Sequence, residues 1–446
     1  MSADKIHEAA RHTPVLARPE ILVVGGGIAG LAAAAGAARS GARTLLIERN
    51  AFLGGTLTAV TLGGLCGSYR QTDAGLRPVV GGLWHELEAR LRASDALGKP
   101  RMSTIVRGVH GIPYDPERLK CVADEWMAAA GVEVLTGVLL TDVQCDERNV
   151  SAVLVQTVEG RSAIVPQVVI DASGDAHLVA LADEPSVSLA REGRLQSPSA
   201  MFRMAPVDRA AFGALSRRDL TQLLAQAVEA GASLPRTSVA VFPYLAEGEM
   251  HLNATRVTPP TGEWFDPLKV RERAAAEREG RRQVFAYEQV FRDCVPGFHS
   301  ARVTAIGPAL GLRESRRIHG DVELTESDVM NCRKPDERIA CCAWPVEDHA
   351  PGLETVWRPL PEGDWYGIAY GCLTPRGLRN VSAAGRCLSA THVAQASARI
   401  SAACLAMGEA AGCAAAMALQ QHNDVRVDVP RLQATLRGGG VILDPV

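Results

Sequence analysis

Apolar runs in the first fifty residues are short and sharply bounded. Ile21–Val24 is continuous aliphatic sequence, the pattern of a strand buried on both faces. A small-residue stretch follows over 28–39, and a second apolar run, Leu45–Ile47, ends at Glu48. Strand, helix and strand at this spacing predict a βαβ unit with parallel strands. Trp84, Leu87 and Leu91 then share one helix face, and Asp115 before Pro116 marks the start of another helix. Short strands are predicted at 132–135, 138–143, 150–155 and 163–165. A further apolar strand at 168–170 runs into the small residues Ala172, Ser173 and Gly174.

The turn between the first strand and its helix carries Gly25, Gly27 and Gly30 in the order G-x-G-x-x-G. Alone this motif is weak. Here it follows a strand, opens a helix and is followed by an acidic residue at the end of the second strand, which is the setting of a dinucleotide-binding turn. Gly25 permits the tight turn, Gly27 lets backbone lie against a pyrophosphate, and Gly30 lets the helix sit close to the sheet. The helix start favours phosphate through its free N–H groups and dipole. Glu48 suits ribose hydroxyls and disfavours a 2′-phosphate. Residues 21–38 carry no charge, as a short membrane span would, but five of them are glycine, which argues for the turn.

Residues from about 195 to 300 change character. Met201–Met204, Val239–Phe242 and 251–255 read as strands of another sheet, with charged helices near 208–230 and 268–292. The expected organisation is a loose lead-in (1–18), a nucleotide-binding domain in two parts (19–194 and 301–446), and an inserted α+β substrate domain (195–300). An Ala-rich helix is expected near 397–420, and Glu409 within it argues against a membrane span. The fold class is therefore α/β, a Rossmann-like domain with an insertion.

Composition narrows the function. The chain has 446 residues, 47% hydrophobic and 22% charged, with a net charge of −3. That balance suits a globular protein of two or more domains and gives no basic footprint for nucleic acid. The first residues lack a hydrophobic signal core. Eleven cysteines are scattered without any C-x-x-C, so reduced thiols in a cytoplasmic enzyme are expected, with neither a redox pair nor a zinc site. Cys66, Cys372 and Cys387 stand out only by their unusual surroundings.

With these elements in place, the chain resembles the flavin-dependent oxidoreductases that have a glutathione-reductase-like FAD domain, cousins of the fumarate reductase and succinate dehydrogenase flavoproteins. Four segments carry the resemblance: the first unit through Glu48 and Gly54-Gly55, residues 168–176, residues 311–326, and residues 381–392 with the helix after Arg399. It implies FAD, with the pyrophosphate over Gly25, Gly27, Ile28, Ala29 and Gly30. The adenosine ribose falls at Glu48 and Arg49, and Gly54, Gly55 and Thr56 lie near the second phosphate and ribitol. Val138 meets adenine, Ser173 and Gly174 border the dinucleotide, and Gly385 and Arg386 close over the ribitol. Arg399, Ile400 and Ser401 place a helix start at the flavin N1 and C2 carbonyl, where it favours negative charge. A second dinucleotide turn and a C-x-x-x-x-C are missing, so reduction by the substrate itself is expected, with oxygen, a quinone or a carrier protein as reoxidant.

Hydride transfer needs a C–H held close to the flavin and a proton acceptor. His392 and His349 are the candidate acceptors, with loop orientation as the structural alternative for His392. Arg313 or Arg316, in the run 313–317, is the candidate clamp for an anionic substrate oxygen, unless that run is a solvated face. Tyr366 and Tyr370 are candidate donors or packed core residues; His251 and His319 read as structural. The expected activity is oxidation of a small polar organic substrate. The rivals are a flavin monooxygenase or halogenase using NAD(P)H, a non-catalytic electron-passing subunit, and an NAD enzyme. No nucleic-acid partner, membrane span or metal is expected. Oligomeric state is open, and a homodimer is compatible with the chain.

Overall fold

In the computed structural model the described residues are 6–7, 9–103, 106, 108–189, 192–259, 264–349 and 355–446. Most of the predicted lead-in is thus described, with 1–5 and 8 outside, as are 260–263 of the predicted insertion.

Strand Ile21–Val24 lies in the middle of a five-stranded parallel sheet. The order across it is Val381–Ala383, Val168–Asp171, Ile21–Val24, Thr44–Glu48 and Glu133–Thr136. Side chains alternate across this layer. Ile21, Val23, Leu46 and Ile170 enter the core under the helices, whereas Leu22, Val24, Leu45 and Ile47 face a second core with Val153, Val155 and Ile164. Burial on both faces explains why the strands read as unbroken apolar runs. The second face is covered by an antiparallel sheet of Leu139–Asp146, Asn149–Thr157 and Gly160–Ile164. Its far edge is Val15–Ala17, parallel to Gly160–Ile164, so the expected loose lead-in ends in a paired strand.

Two small-residue helices, Ile28–Arg39 and Ser401–Ala418, cross closely on the first face. A Cβ on Gly408 would lie 2.0 Å from the Ala29 carbonyl oxygen, and one on Gly412 would lie 2.2 Å from that of Ala33. Ser401–Ala418 is long and apolar enough to cross a membrane, yet 89% of that window is buried inside the protein. Glu409 within it accepts the Leu83 N–H at 3.0 Å and so caps helix Leu83–Ala93 from afar. The Ala-rich helix expected near 397–420, with its start at Arg399–Ser401, is Ser401–Ala418; a short helix not expected there, His392–Ala398, precedes it, and Arg399 and Ile400 turn between the two. A helix over Val429–Gly438, absent from the sequence reading, follows.

The inserted region forms a four-stranded antiparallel sheet in the order Ala240–Pro243, Met250–Asn253, Phe202–Ala205, Arg302–Ile306. Its fourth strand comes from beyond residue 300. Phe202, Met204, Met250 and Leu252 pack on Val284, Tyr287 and Phe291 of helix Val270–Cys294, which gives this unit its own core. Arg203, Phe242 and His251 occupy the alternate positions, on the other face.

Candidate functional site

Strand Ile21–Val24 delivers the chain into Gly25, whose φ of +104° suits glycine and where a Cβ would lie 2.6 Å from the Ala172 carbonyl oxygen. Gly30 is needed for a different reason than the sheet contact expected of it. Its Cβ would stand 1.8 Å from the Gly25 carbonyl oxygen, so glycine there first closes the turn on itself, with Ala172 of the neighbouring strand next at 3.2 Å. Gly27 caps helix Ile28–Arg39 without any side-chain hydrogen bond, which leaves the first-turn N–H groups of Ile28, Ala29 and Gly30 for another acceptor. A Cβ on Gly27 would meet only Gly55 Cα, at 3.8 Å. That side of the turn is an open cradle.

Gly54 N–H donates to the Gly26 carbonyl at 2.8 Å, and Gly55, at φ +55°, sits where a Cβ would be 2.6 Å from Gly27 Cα. The two glycine turns therefore back one another, with Thr56 exposed beside them. Buried Glu48 accepts from Gly26 N–H (2.7 Å), Asn50 N–H (2.8 Å) and the Asn50 amide (2.7 Å), so it braces the turn as well as facing it. Val138 N–H donates to the Glu48 carbonyl at 3.0 Å.

Across the cradle, Ser173 donates its N–H and hydroxyl to Asp171, and Gly174 turns at φ +74°. Arg386 is consumed in bracing this loop: Nε donates to Gly174 O (2.8 Å) and a terminal nitrogen to Asp175 (2.8 Å). Gly385 abuts Ala29, 2.9 Å from the position of an added Cβ. Arg316 points the same way, its Nε on the Asp175 carbonyl at 3.0 Å, and so stands apart from Arg313. Burial opposes ionisation of Asp175, but Arg386 and Ser315, with Arg49 and Arg273 farther off, hold its pKa below the ordinary value. Several guanidiniums gathered about this loop, beside a glycine turn, suit an anion such as a diphosphate.

A second cluster forms where the run 311–318, the hairpin strand Val346–Asp348 and the turn before Ser401 meet. Buried Arg313 donates to the Ser197 carbonyl (2.7 Å) and the Ser199 hydroxyl (2.9 Å). Arg399 donates to Gln196 Oε1 and the Glu347 carbonyl, both at 3.2 Å, while its buried Nε has no partner among the described residues. Burial pushes the Arg313 pKa well below its ordinary value, the Arg399 charge adds to this, and Glu347 opposes it. His349 Nε2 is 2.9 Å from Glu347 Oε1; Nδ1 lies 3.1 Å from the Thr355 hydroxyl and 3.4 Å from Arg256. Burial, then Arg313, drives the His349 pKa well below 6.5, so the ring is neutral. The donors around it assign the proton to Nε2 and a lone pair to Nδ1. Burial disfavours the Glu347 carboxylate, yet the His349 hydrogen bond and the Arg399 and Arg313 charges bring its pKa to about 2.

His392 is 1% exposed and lies between two carboxylates. Nε2 is 3.1 Å from Asp348 Oδ1. Nδ1 is 2.8 Å from Glu314 Oε2 but out of line for a hydrogen bond, so that contact is an ion pair. Burial pulls its pKa down; the Asp348 hydrogen bond and then Glu314 outweigh this and lift it to about 9. A group so fully protonated at neutral pH is a poor proton acceptor. Ser401 and Cys66 exchange hydrogen bonds, Cys66 N–H to Ser401 Oγ at 2.9 Å and Ser401 Oγ–H to Cys66 O at 3.1 Å, and Ile400 fills the space over Gly67. Burial pushes the Cys66 thiol up to about 12, so it is inert.

The family description "FAD dependent oxidoreductase" matches residues 20–436. The chain belongs to that family. It is an enzyme family, and FAD is its cofactor. No curated protein matches the chain. Among solved structures it is similar to a p-nitrophenol 4-monooxygenase from Pseudomonas putida DLL-E4 (13% identity, 94% of this chain and 83% of the other, TM-score 0.48). It is also similar to a geranylgeranyl bacteriochlorophyll reductase-like protein from Thermoplasma acidophilum (14%, 94% and 83%, TM-score 0.45) and to the flavin-dependent brominase Bmp2 (13%, 95% and 84%, TM-score 0.47). Likeness at this level says nothing of what this chain acts on.

The residues present fit FAD. The open face of Gly27, the uncapped helix start and the guanidiniums around Asp175 form an anion cradle of the kind its diphosphate needs. In this FAD-dependent oxidoreductase Tyr366 and Tyr370 take the packed of their two expected roles, their hydroxyls bonded to Ser397 and to the Val425 carbonyl. Cys372 and Cys387 are core residues. Sequence reading missed Gln196, Arg256 and Glu347, which reach the second cluster from separate segments and carry no motif. His251, read from the sequence as structural, is buried on the sheet face away from that unit's core, beside Gly63, and its Nε2 has no partner among the described residues.

Proposed function

We propose that this FAD-dependent oxidoreductase is a dehydrogenase or oxidase for a small polar organic substrate, with a carboxylate or similar anionic group where Arg313 is the clamp. The observation that carries this reading is a neutral, buried His349 beside ionised Glu347 and two guanidiniums, Arg313 and Arg399, at the start of helix Ser401–Ala418. FAD, when bound, would supply the two-electron acceptor for a hydride from the substrate. Arg313 and Arg399 orient the anionic end of the substrate, and their burial strengthens that attraction. His349, its Nδ1 lone pair held by Thr355 and Arg256, accepts the proton from the substrate hydroxyl or amine as those contacts rearrange. Gly25–Gly30, Glu48 and Gly54–Thr56 grip the nucleotide. The glutathione-reductase-like form of the FAD domain, kinship with fumarate reductase flavoproteins, the domain limits 19–194, 195–300 and 301–446, and an inserted unit that selects the substrate belong to the same proposal.

Anaerobic mixing of the purified yellow protein with candidate reductants tests it. Small 2-hydroxy or 2-amino acids should bleach the visible flavin band, and NAD(P)H alone should leave it. Fast bleaching by NAD(P)H would instead identify a monooxygenase or halogenase. Resistance to every small molecule, with reduction only by a protein carrier, would identify an electron-passing subunit.

A further inference from the structure

Three segments distant in sequence bring one ionisable group each to a common buried point, and each is anchored next to a pocket residue. Glu314 directly follows Arg313. Asp348 stands between Glu347 and His349. His392 opens the helix His392–Ala398, which ends at Arg399. His392 is the meeting point, 3.1 Å from Asp348 and 2.8 Å from Glu314. Each carboxylate is itself held: Glu314 accepts Gln196 N–H at 3.1 Å and lies 3.4 Å from Arg317, and Asp348 lies 3.7 Å from Arg194. The His392 N–H donates to Glu192, which also pairs with Arg317. Among the described residues these are the charged groups gathered about the ring.

We propose that Glu314, His392 and Asp348 form an ionic latch that fixes Arg313, His349 and Arg399 in one arrangement, with His392 a positioning residue rather than the proton acceptor. The role of those three side chains rests on the substrate site proposed above; the latch itself does not. Only an imidazolium can donate Nε2–H to Asp348 and at the same time set a positive Nδ1–H edge against Glu314 as an ion pair. A neutral ring would turn a lone pair towards one of two buried carboxylates and leave that charge uncompensated. The lifted pKa of His392 agrees with this geometry. Its neighbours also explain why one histidine of the site is charged and the other neutral: His392 faces two carboxylates, whereas His349 faces Glu347 together with Arg313 and Arg256.

The test uses holoenzyme labelled with isotopic histidine, the His392 signals being assigned by their absence in H392N. At neutral pH the wild-type ring should give the imidazolium pattern in NMR spectra and titrate near 9. E314Q and D348N should each lower that midpoint by at least about one unit. A neutral His392 at neutral pH, or a midpoint indifferent to both substitutions, overturns the latch. For positioning, E314Q should raise KM about tenfold with little change in kcat. The double variant E314Q/H392N should be no worse than H392N alone, and fully additive losses overturn the coupling. If H392N does not fold, H392Q supplies the assignment, and the E314Q and D348N titrations decide the matter. Should no small molecule reduce the flavin, the substrate reading fails while the titration still reports on the latch.

Discussion

The phosphate cradle and the charged pocket lie in one molecule but are specified in opposite ways. The cradle is made of backbone: glycines at 25, 27, 30, 54 and 55, an uncapped helix start and one carboxylate. These parts all fall within residues 25–55, and the guanidiniums around Asp175 border them from elsewhere in the chain. The pocket is made of side chains, with Gln196, Arg256, Arg313, Glu347, His349 and Arg399 drawn from both units of the fold. A backbone site tolerates no Cβ at set positions, whereas a side-chain site tolerates no change of charge. Substitutions should separate the two.

The largest effect is expected at Gly30. With a Cβ 1.8 Å from the Gly25 carbonyl, Gly30→Ala should cost about 3 kcal/mol of stability and abolish flavin retention, read by urea unfolding and visible absorbance. Gly27→Ala has room at 3.8 Å and should leave the unfolding midpoint within about 0.5 kcal/mol while lowering flavin occupancy. Equal losses at both positions would undo the view of Gly27 as the face that receives the diphosphate.

Next comes pH. The folded pKa of His392 is raised to about 9, so its contribution is fully present below the unfolded value near 6.5 and is lost as pH rises through 9. Thermal denaturation should show up to about 3 kcal/mol fading across that window. His392→Gln should flatten the profile, and a wild-type profile already flat there would refute the charged ring.

In the pocket, Arg313→Lys keeps the charge but loses the planar fork. It should lower kcat/KM about 10- to 100-fold at unchanged flavin content. A loss of flavin in parallel would show that the two regions are not separable. The smallest effect is expected at the seam between them. Ser401→Ala removes the reciprocal hydrogen bonds with Cys66 and should cost about 1 kcal/mol, measured by urea unfolding, with flavin still bound.

These differences mirror how far each part could be read in advance. The parallel strands were legible because burial on both faces writes an unbroken apolar run, and the turn because only glycine fits its dihedrals and approaches. Arg313, Arg316 and Arg317 could not be told apart, since their directions depend on what surrounds the segment: Ser197 and Ser199 for Arg313, Asp175 for Arg316, Glu192 and Glu314 for Arg317. The strand Val15–Ala17 was missed because its pairing partner lies about 145 residues on, a distance local pattern does not report. The helix start at Arg399–Ser401 was legible, but the short helix His392–Ala398 before it was not, because seven residues carry too little periodicity to mark a helix.

Taken alone, the amino-acid order determined the nucleotide-binding turn, the acidic residue beside it and the alternation of strands and helices, because each depends on dihedral freedom and periodicity within a few residues. Only the folded chain decided which histidine is charged and which neutral, and which arginine meets which acid. Those properties come from burial and from partners distant in sequence, 141 residues apart for Arg316 and Asp175, where the electrostatic surroundings exist only after the segments have packed.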